Sequence, residues 1–240
     1  MNLKGKTAVV VGAGGSMGSR IVRLLKNEGV DLILIEKEKS LLESIVDILD
    51  GDKTSIYECD MTNLSEVERV GDEIASKFSK IDILINASGV GIYKDIKDLE
   101  IKEWNDSINI NLNAPFILIK KLITSLQNSE LGVVVNFGSG MGVIAKSGRI
   151  AYCASKFGLR GMSLTLSKEY KNQGIDFVHM ALGSIMTDFG TGGMEKREEL
   201  AANGKKYLDP DEIAQKVIDI IKDNARQEEY VIYPEGYENE

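Results

Sequence analysis

Short apolar runs alternate along this chain with longer stretches in which apolar positions recur every three or four residues. The short runs are nearly continuous in Val, Ile and Leu, which is the pattern of strands covered on both faces. They predict strands over residues 7–11, 32–36, 54–58, 81–86, 133–137, 175–181 and 230–233. The longer stretches predict helices over residues 16–28, 40–50, 63–78, 101–127 and 151–172.

Local signals mark several ends of these elements. Gly29 and Gly174 follow predicted helices, at positions where a left-handed residue commonly ends a helix. Asp209 and Pro210 predict one more helix, with the aspartate as its N-cap and the proline at its first position.

The alternation of strands and helices predicts the fold class. It is typical of α/β proteins, and we expect a doubly wound, Rossmann-type parallel sheet of about seven strands with helices on both faces. No repeat or linker interrupts the pattern, so residues 1–240 are predicted to form one domain. Several glycines in residues 188–207 predict a mobile lid there.

Composition narrows the class of protein. The chain has 240 residues, of which 43% are hydrophobic and 28% charged, as in an ordinary globular domain. Its net charge of -8 argues against nucleic-acid binding. No apolar run approaches the roughly 18 residues of a membrane helix, and the start lacks a signal peptide pattern, so a cytoplasmic protein is expected. Cys59 and Cys153 show no metal-ligand spacing, so no metal site is expected.

A glycine-rich turn follows the first predicted strand. Residues 12–18 read Gly-Ala-Gly-Gly-Ser-Met-Gly, which places glycines at Gly12, Gly15 and Gly18 and opens a helix at Ser16 and Met17. Such a turn lets the backbone approach a pyrophosphate at a helix N-terminus. The alternative is a plain turn between strand and helix.

Charged residues at the next two strand ends suggest how an adenosine would be held. Glu36 ends the second strand, where a carboxylate accepts hydrogen bonds from ribose hydroxyls and repels a 2′-phosphate, so NAD(H) is favoured over NADP(H). Lys37 could instead pair with a 2′-phosphate, and both residues could simply lie in a solvated turn. Asp60, followed by Met61, could bind the adenine amino group or cap the next helix.

A tyrosine and a lysine lie four positions apart on a predicted helix. Tyr152 and Lys156 would share one helix face, where an ammonium group favours the phenolate and lowers the pKa of the tyrosine. Ser139 lies thirteen residues upstream and could orient a carbonyl or an alcohol. The set is suited to proton transfer in a carbonyl–alcohol redox reaction. The alternatives are an interfacial helix pair and a serine in a turn.

With these motifs in this order, the chain resembles the short-chain dehydrogenase/reductase superfamily, in its compact single-domain branch. Asn111 lies in the long fourth predicted helix, where it resembles the asparagine of the family's catalytic tetrad. Residues 182–187 are similar to the family's Pro-Gly-x-x-x-Thr segment, which closes over the nicotinamide. The segment after the fourth strand resembles the family's cofactor-binding Asn-Asn-Ala-Gly and consists of Asn86, Ala87, Ser88 and Gly89.

The chain also departs from the family pattern. Ser16 stands where a loop glycine is usual, Ala87 replaces an asparagine, and Leu182 replaces a proline. The glycine spacing is more typical of the larger, extended branch, which includes sugar-nucleotide epimerases. These departures affect cofactor contacts and loop closure, but they leave the proton-transfer groups in place.

The resemblance implies a role for each tetrad residue. Tyr152 would be the general acid or base, and Lys156 would hold the nicotinamide ribose and lower the pKa of the tyrosine. Ser139 would hold the reacting oxygen, and Asn111 would bind a water that links the lysine to solvent. The carboxamide would be oriented by Gly183, Ile185 and Thr187.

The expected function is an NAD(P)-dependent oxidoreductase that interconverts a secondary alcohol and a ketone. The alternatives are a non-catalytic dinucleotide-binding sensor or scaffold, and an epimerase-like enzyme with retained NAD. The mixed charges of the lid indicate no preference for an acidic or a basic substrate. Apolar residues expected in the pocket are Phe189, Met194, Leu200, Tyr93 and Ile144.

The partners expected besides the substrate are copies of the same chain. The C-terminal residues 230–234 resemble shorter-tailed family members, which favours a homodimer through the fourth and fifth predicted helices, with a homotetramer as the alternative. His179, the one histidine, lies in an apolar strand and is expected to be packed.

Overall fold

The computed structural model describes residues 1–49 and 53–236. Within these residues, seven parallel strands form a single sheet in the order β3-β2-β1-β4-β5-β6-β7. The strands are β1 (Thr7–Val11), β2 (Asp31–Glu36), β3 (Thr54–Glu58), β4 (Ile83–Asn86), β5 (Val133–Phe137), β6 (Asp176–Leu182) and β7 (Glu229–Ile232). The order reverses between β1 and β4, so a crevice is expected beyond the carboxyl ends of these two strands.

Helices connect the strands. The α-helices are α1 (Ser16–Asn27), α2 (Leu64–Lys77), α3 (Ile101–Ile108), α4 (Ala114–Gln127), α5 (Ile150–Glu169), α6 (Gly193–Ala202) and α7 (Pro210–Lys222). A 3₁₀ helix, Lys39–Ile48, follows β2, and a 3₁₀ turn, Gly140–Gly142, follows β5. None of the helices within the described residues is long and apolar enough to cross a membrane.

Both faces of the sheet are buried. Successive residues of β1 point to opposite faces, so that Ala8 and Val10 join one core cluster and Val9 and Val11 join the other. Helices α1 and α7 cover the first face, and helices α2 and α4 cover the second. The continuous apolar strands follow from this burial, and the predicted doubly wound α/β fold is confirmed.

The predicted helix starts and stops follow local chemistry. The Asp209 carboxylate accepts hydrogen bonds from the backbone N–H groups of Asp211 at 2.8 Å and Glu212 at 3.0 Å, and so caps α7 as predicted. Gly29 and Gly174 have φ angles of 76° and 84°, in the left-handed region that favours glycine. The predicted helix end is confirmed at Gly29, whereas α5 ends at Glu169, five residues before Gly174.

Several predicted boundaries are corrected. The predicted helix over residues 101–127 is two helices, because a π-helical turn, Asn109–Asn113, separates α3 from α4. The predicted helix over residues 40–50 is a 3₁₀ helix, and its last predicted residue lies outside the described residues. The last predicted strand is displaced by one residue to β7, and the strand predicted over residues 81–86 begins at Ile83. The helix predicted to reach Asn172 ends at Glu169.

Candidate active site

A cleft of about 800 Å³ opens at the carboxyl ends of the strands, around the reversal between β1 and β4. Most predicted site residues meet there, although they come from loops far apart in the sequence. Those that line the cleft are Gly12, Gly15, Ser16, Met17, Glu36, Lys37, Asp60, Met61, Ala87, Ser88, Gly89, Ser139, Tyr152, Lys156, Gly183, Ile185 and Thr187.

Two predicted cofactor-binding residues lie behind the cleft wall. A Cβ atom on Gly18 would lie 2.0 Å from the carbonyl oxygen of Gly12, so this glycine is needed for close packing of α1 against the loop. The Asn86 amide donates a hydrogen bond to the Asn136 side chain at 2.7 Å, inside the sheet. Both residues shape the site from behind, and their contact with a cofactor stays a prediction.

The glycine loop forms a cradle with little space for side chains. Gly12 has a φ angle of 75°, and a Cβ atom on it would lie 2.9 Å from the Ser88 Cα atom. Gly14 also has no room for a side chain, because a Cβ atom there would lie 2.2 Å from the Leu41 carbonyl oxygen. Sequence reasoning did not select this glycine. Helix α1 begins after Gly15, which provides no side-chain cap, so its first N–H groups face the cleft without one. This geometry fits an anionic group such as a pyrophosphate.

The Glu36 carboxylate is held at the far end of this cradle. It accepts hydrogen bonds from the backbone N–H groups of Gly14 and Lys37, both at 2.8 Å. The Lys37 ammonium lies 3.2 Å from the Asp60 carboxylate, which it approaches across the strand ends. The end of the cleft beyond β2 and β3 therefore presents a fixed carboxylate and a lysine that already has an acidic partner.

Asp60 has several partners of its own. Its carboxylate accepts hydrogen bonds from the Thr62 backbone N–H at 2.9 Å and from the Thr62 hydroxyl at 2.8 Å. Partial burial raises the pKa of Asp60, but these bonds and Lys37 outweigh burial and lower it overall. Asn63 caps α2 through the Glu66 N–H, so the capping alternative for Asp60 is wrong.

The tyrosine, lysine and serine meet at the opposite end of the cleft. Tyr152 and Lys156 lie one turn apart on α5, and both are buried. Ser139 caps the 3₁₀ turn that follows β5, where its hydroxyl accepts a bond from the Met141 N–H at 3.1 Å, and it lines the cleft together with Tyr152. The Lys156 ammonium donates to the Phe137 carbonyl at 2.7 Å and lies 5.8 Å from the centre of the tyrosine ring.

Burial dominates the protonation of this group. It raises the pKa of Tyr152 above its ordinary value, Tyr93 adds to the rise, and the Ser139 hydrogen bond opposes it. Burial also lowers the pKa of Lys156 to about 8. In this arrangement the phenol form of the tyrosine is favoured, and the lowering of the Tyr152 pKa by Lys156 stays a prediction.

Asn111 lies in the π-helical turn and does not line the cleft. Its amide group donates to the Val90 carbonyl and to the Ser155 hydroxyl, each at 3.0 Å, and its oxygen accepts from the Val90 N–H at 2.9 Å. These bonds tie the loop after β4 to α5, close to Lys156. The water-binding role of Asn111 stays a prediction.

The lid contacts the glycine loop. Ser16 donates a hydrogen bond to the Asp188 carboxylate, so the first residue of α1 is joined to the start of the lid. Gly190 and Gly192 have φ angles of 89° and 90°, which let the chain turn sharply before α6. Asp188, Phe189 and Arg197 of this segment line the cleft, and its mobility stays a prediction.

Comparisons with known proteins agree with this geometry. Residues 6–198 match the family model of the short chain dehydrogenases. The chain belongs to the short-chain dehydrogenase family. It is therefore an NAD(P)-dependent dehydrogenase/reductase, and the non-catalytic scaffold alternative is not retained.

The relatives of this short-chain dehydrogenase are named for different substrates. The chain is 32% identical over 230 residues to a 3-oxoacyl-(acyl-carrier-protein) reductase of Rickettsia felis, covering 94% of this chain and 92% of that protein. It is 27% identical over 230 residues to D-threitol dehydrogenase of Mycolicibacterium smegmatis, covering 93% and 88%.

Solved structures show the same fold. An alcohol dehydrogenase from the archaeon Thermococcus sibiricus, complexed with 5-hydroxy-NADP, superposes with a TM-score of 0.86 at 24% identity, covering 99% of this chain and 100% of that one. A 4-hydroxyisoleucine dehydrogenase complexed with NADH superposes with a TM-score of 0.84 at 24% identity, covering 95% and 97%.

The end of the cleft that holds Tyr152 in this short-chain dehydrogenase is lined by aromatic side chains. Of the apolar residues expected there, Tyr93 and Phe189 line the cleft, whereas Met194, Leu200 and Ile144 do not. The ring centres of Tyr93 and Tyr152 lie 5.5 Å apart, nearly perpendicular to each other, and Phe189 lies 6.0 Å from Tyr152. Tyr152 therefore has two aromatic neighbours in the cleft.

Sequence reasoning missed two arginines at this end. Arg149 and Arg197 both line the cleft. Arg149 lies three residues before Tyr152, but it precedes both the predicted helix and α5, so helix spacing gave no signal for it. Arg197 lies among the mixed charges of the lid, of which only Asp188 also lines the cleft. Its position could not be read from the charge pattern.

His179 is packed, as expected. It is fully buried in β6, where its Nδ1 atom lies 3.1 Å from the Glu229 carboxylate, and that carboxylate also binds Arg160 at 2.6 Å. Burial lowers the pKa of His179 to about 4, so its ring is neutral at pH 7. It does not line the cleft.

Proposed function

We propose that this enzyme interconverts a secondary alcohol and a ketone, with Tyr152 as the general acid or base. The observation that carries the proposal is the arrangement of the cleft. A glycine cradle at the start of α1 lies at one side of it, and a buried tyrosine, serine and lysine meet at the other. Each half alone is a common feature, but a carbonyl redox reaction needs both together.

The cradle fits a nicotinamide dinucleotide. The open N-terminus of α1, with Ser16 and Met17, would hold the pyrophosphate. Glu36 and Asp60 would accept hydrogen bonds from the adenosine, near Met61 and Lys37. The nicotinamide portion would lie against residues that line the inner cleft, namely Ala87, Ser88, Gly89, Gly183, Ile185 and Thr187. When bound, this cofactor supplies or accepts the hydride.

The protein's own groups handle the proton. Because burial favours the phenol form, Tyr152 can donate its proton to a carbonyl oxygen during reduction. The Ser139 hydroxyl, which lines the cleft together with Tyr152, orients that oxygen. Lys156, with a pKa of about 8, is mostly an ammonium ion at pH 7 and provides positive charge beside the tyrosine. In the oxidative direction the phenol proton of Tyr152 is first lost to solvent, and the resulting phenolate accepts the proton of the alcohol.

The geometry of the adenosine end favours NAD(H) over NADP(H). Glu36 is fixed by two backbone N–H groups, which directs a negative charge toward the place where a 2′-phosphate would lie. Lys37, which could otherwise bind that phosphate, is paired with Asp60.

We also propose a cytoplasmic homodimer. The helices expected to form the interface, α4 and α5, carry large apolar side chains that are exposed on the single chain, namely Phe116, Ile150 and Phe157. Pairing of these faces would remove the apolar area from water. Light scattering should give twice the monomer mass, and replacement of Phe116 and Phe157 by aspartate should shift that mass toward the monomer.

The central test is a turnover panel. The purified protein is titrated with NADH and NADPH and then assayed on ketones and secondary alcohols. Tyr152→Phe should lower kcat on the best substrate by about 100-fold or more, since it removes the proton donor, while cofactor affinity stays within about twofold. Full activity in Tyr152→Phe would overturn the proposed role.

A further inference from the structure

The arginines of this protein fall into two groups. Five of the seven lie within salt-bridge distance of a carboxylate, namely Arg20, Arg23, Arg69, Arg160 and Arg226. Within the described part of the chain, Arg149 and Arg197 have no carboxylate partner, and these two are the arginines that line the cleft. A guanidinium without an acidic partner in a binding cleft is available to an anionic ligand.

Arg149 is held in place without using its hydrogen-bond donors on an acid. It lies just before α5, and the central carbon of its guanidinium is 4.4 Å from the centre of the Tyr93 ring. Stacking on an aromatic face fixes the plane of the guanidinium and leaves its edges free. Since the Tyr93 ring contacts the Tyr152 ring, this positive charge lies one side chain away from the catalytic hydroxyl.

Arg197 approaches the same place from the lid. It donates one hydrogen bond to the Phe189 carbonyl and packs 5.4 Å from the centre of the Tyr207 ring. A guanidinium has five N–H donors, so most of them remain for a ligand. Tyr93 and both arginines line the same cleft, and Arg149 and Arg197 act against the rise that burial causes in the pKa of Tyr93.

Acidic and basic side chains line different parts of the cleft. The carboxylates that line it are Glu36, Asp60 and Asp188, of which the first two lie beyond β2 and β3 and the third is bound to the glycine loop at Ser16. The end that holds Tyr152 has the two arginines and Lys156 but no lining carboxylate. A substrate with a negative group would be attracted to this end, and a cationic one repelled.

We propose that Arg149 and Arg197 bind an anionic group of the substrate, so that the substrates are oxo acids and hydroxy acids with a carboxylate or phosphate-like group a few carbons from the reacting centre. The inference rests on the proposed oxidoreductase function and adds the substrate class to it. It differs from the expectation that the mixed charges of the lid indicate no preference for an acidic or a basic substrate.

The test compares substrates that differ only in charge. The probes are 3-oxobutanoate, 4-oxopentanoate and 5-oxohexanoate, the methyl ester of each, and a phosphonate counterpart of 4-oxopentanoate. Their kcat/KM values are measured with the preferred cofactor, and their binding to the cofactor-saturated enzyme is measured by calorimetry. At least one acid should exceed its ester by about 10- to 100-fold, the range of charge-assisted hydrogen bonds. The phosphonate distinguishes the two kinds of anion.

Variants then assign the preference to the arginines. Arg149→Gln and Arg197→Gln should each lower the acid-to-ester ratio by about tenfold or more, mainly through KM, with activity on the ester kept. Arg149→Lys and Arg197→Lys should restore part of the ratio. Lys196→Met is the matched control, because it removes an exposed positive charge from the same lid helix, next to Arg197. It should leave the ratio unchanged.

The two proposals fail in different ways. If no ketone or alcohol is turned over while an acid still binds better than its ester through the arginines, the redox proposal is wrong and the anion site stands. If ketones are reduced but no acid binds or reacts better than its ester, the anion site is wrong. Weaker binding of NADH in Arg197→Gln, with an unchanged acid-to-ester ratio, would also overturn it.

Discussion

At the scale of single residues, Glu36 shows how a hydrogen-bond pattern can set specificity. Its two carboxylate oxygens are each fixed by a backbone N–H, from Gly14 and Lys37. A side chain held at two points cannot swing away from an approaching phosphate without breaking both bonds. Charge and position together therefore disfavour a second negative group there.

Glu36→Gln should move the preference toward NADP(H). The substitution keeps an acceptor for the Gly14 N–H but removes the negative charge, so the ratio of NADPH to NADH affinity should rise by about 5- to 50-fold. Fluorescence titration with both cofactors measures it. Glu58→Gln, an exposed acid on β3 paired with Lys39, is the control and should change little. Wild-type protein that binds NADPH tenfold tighter than NADH would contradict our reading of Glu36.

At the scale of elements, the lid and the first helix are joined where a pyrophosphate is expected. Asp188 comes directly after Thr187, and its carboxylate accepts the Ser16 hydroxyl at the N-terminus of α1. A helix N-terminus favours a negative charge, so this carboxylate lies where an anionic ligand would compete with it. Opening of the lid and entry of the cofactor should therefore be coupled.

Asp188→Asn should strengthen cofactor binding. The amide can still accept the Ser16 hydrogen bond, but it no longer repels a phosphate, so the Kd for NADH should fall by about 3- to 10-fold. Calorimetry at low salt measures the change, which should shrink as salt screens the charge. Glu195→Gln, an acid elsewhere in the lid that does not line the cleft, serves as the matched control. Weaker binding in Asp188→Asn would show that the carboxylate helps to form the site.

At the scale of the whole molecule, the buried histidine couples stability to pH. The folded protein keeps His179 neutral, because burial lowers its pKa from 6.5 to about 4 despite the nearby Glu229. The unfolded chain takes up a proton at this residue below about pH 6.5. The unfolded state then binds more protons than the folded state, so stability falls as the pH drops from 6.5 toward 4.

The expected loss from His179 is about 2 kcal/mol between pH 7 and pH 5. Since the chain has a single histidine, His179→Gln isolates the effect. Urea denaturation at the two pH values should show a smaller pH dependence in the variant than in the wild type, by about that amount. An equal dependence in both proteins would mean that the folded state accommodates the charged ring.

The sequence by itself determined the fold class and identified most residues of the candidate site. The spacing and type of the apolar residues were enough to predict the strands. β1 and β2 are apolar on both faces, as expected for a parallel sheet that helices cover on both sides. Tyr152 and Lys156 were paired by helix geometry alone, since residues four apart share a face. The glycine spacing predicted the cradle, because only glycine fits where backbone segments lie this close.

Tertiary structure decided what depends on contacts between distant segments. The π-helical turn at Asn111, the placement of Asn86 behind the cleft and the capture of Lys37 by Asp60 could not be read locally, since each depends on a partner elsewhere in the chain. The presence of Arg149 and Arg197 in one cleft depends on how residues 188–207 pack against the rest of the chain. Apolar spacing and residue propensity describe one helix or strand at a time, whereas the proposed substrate preference depends on residues from several of them.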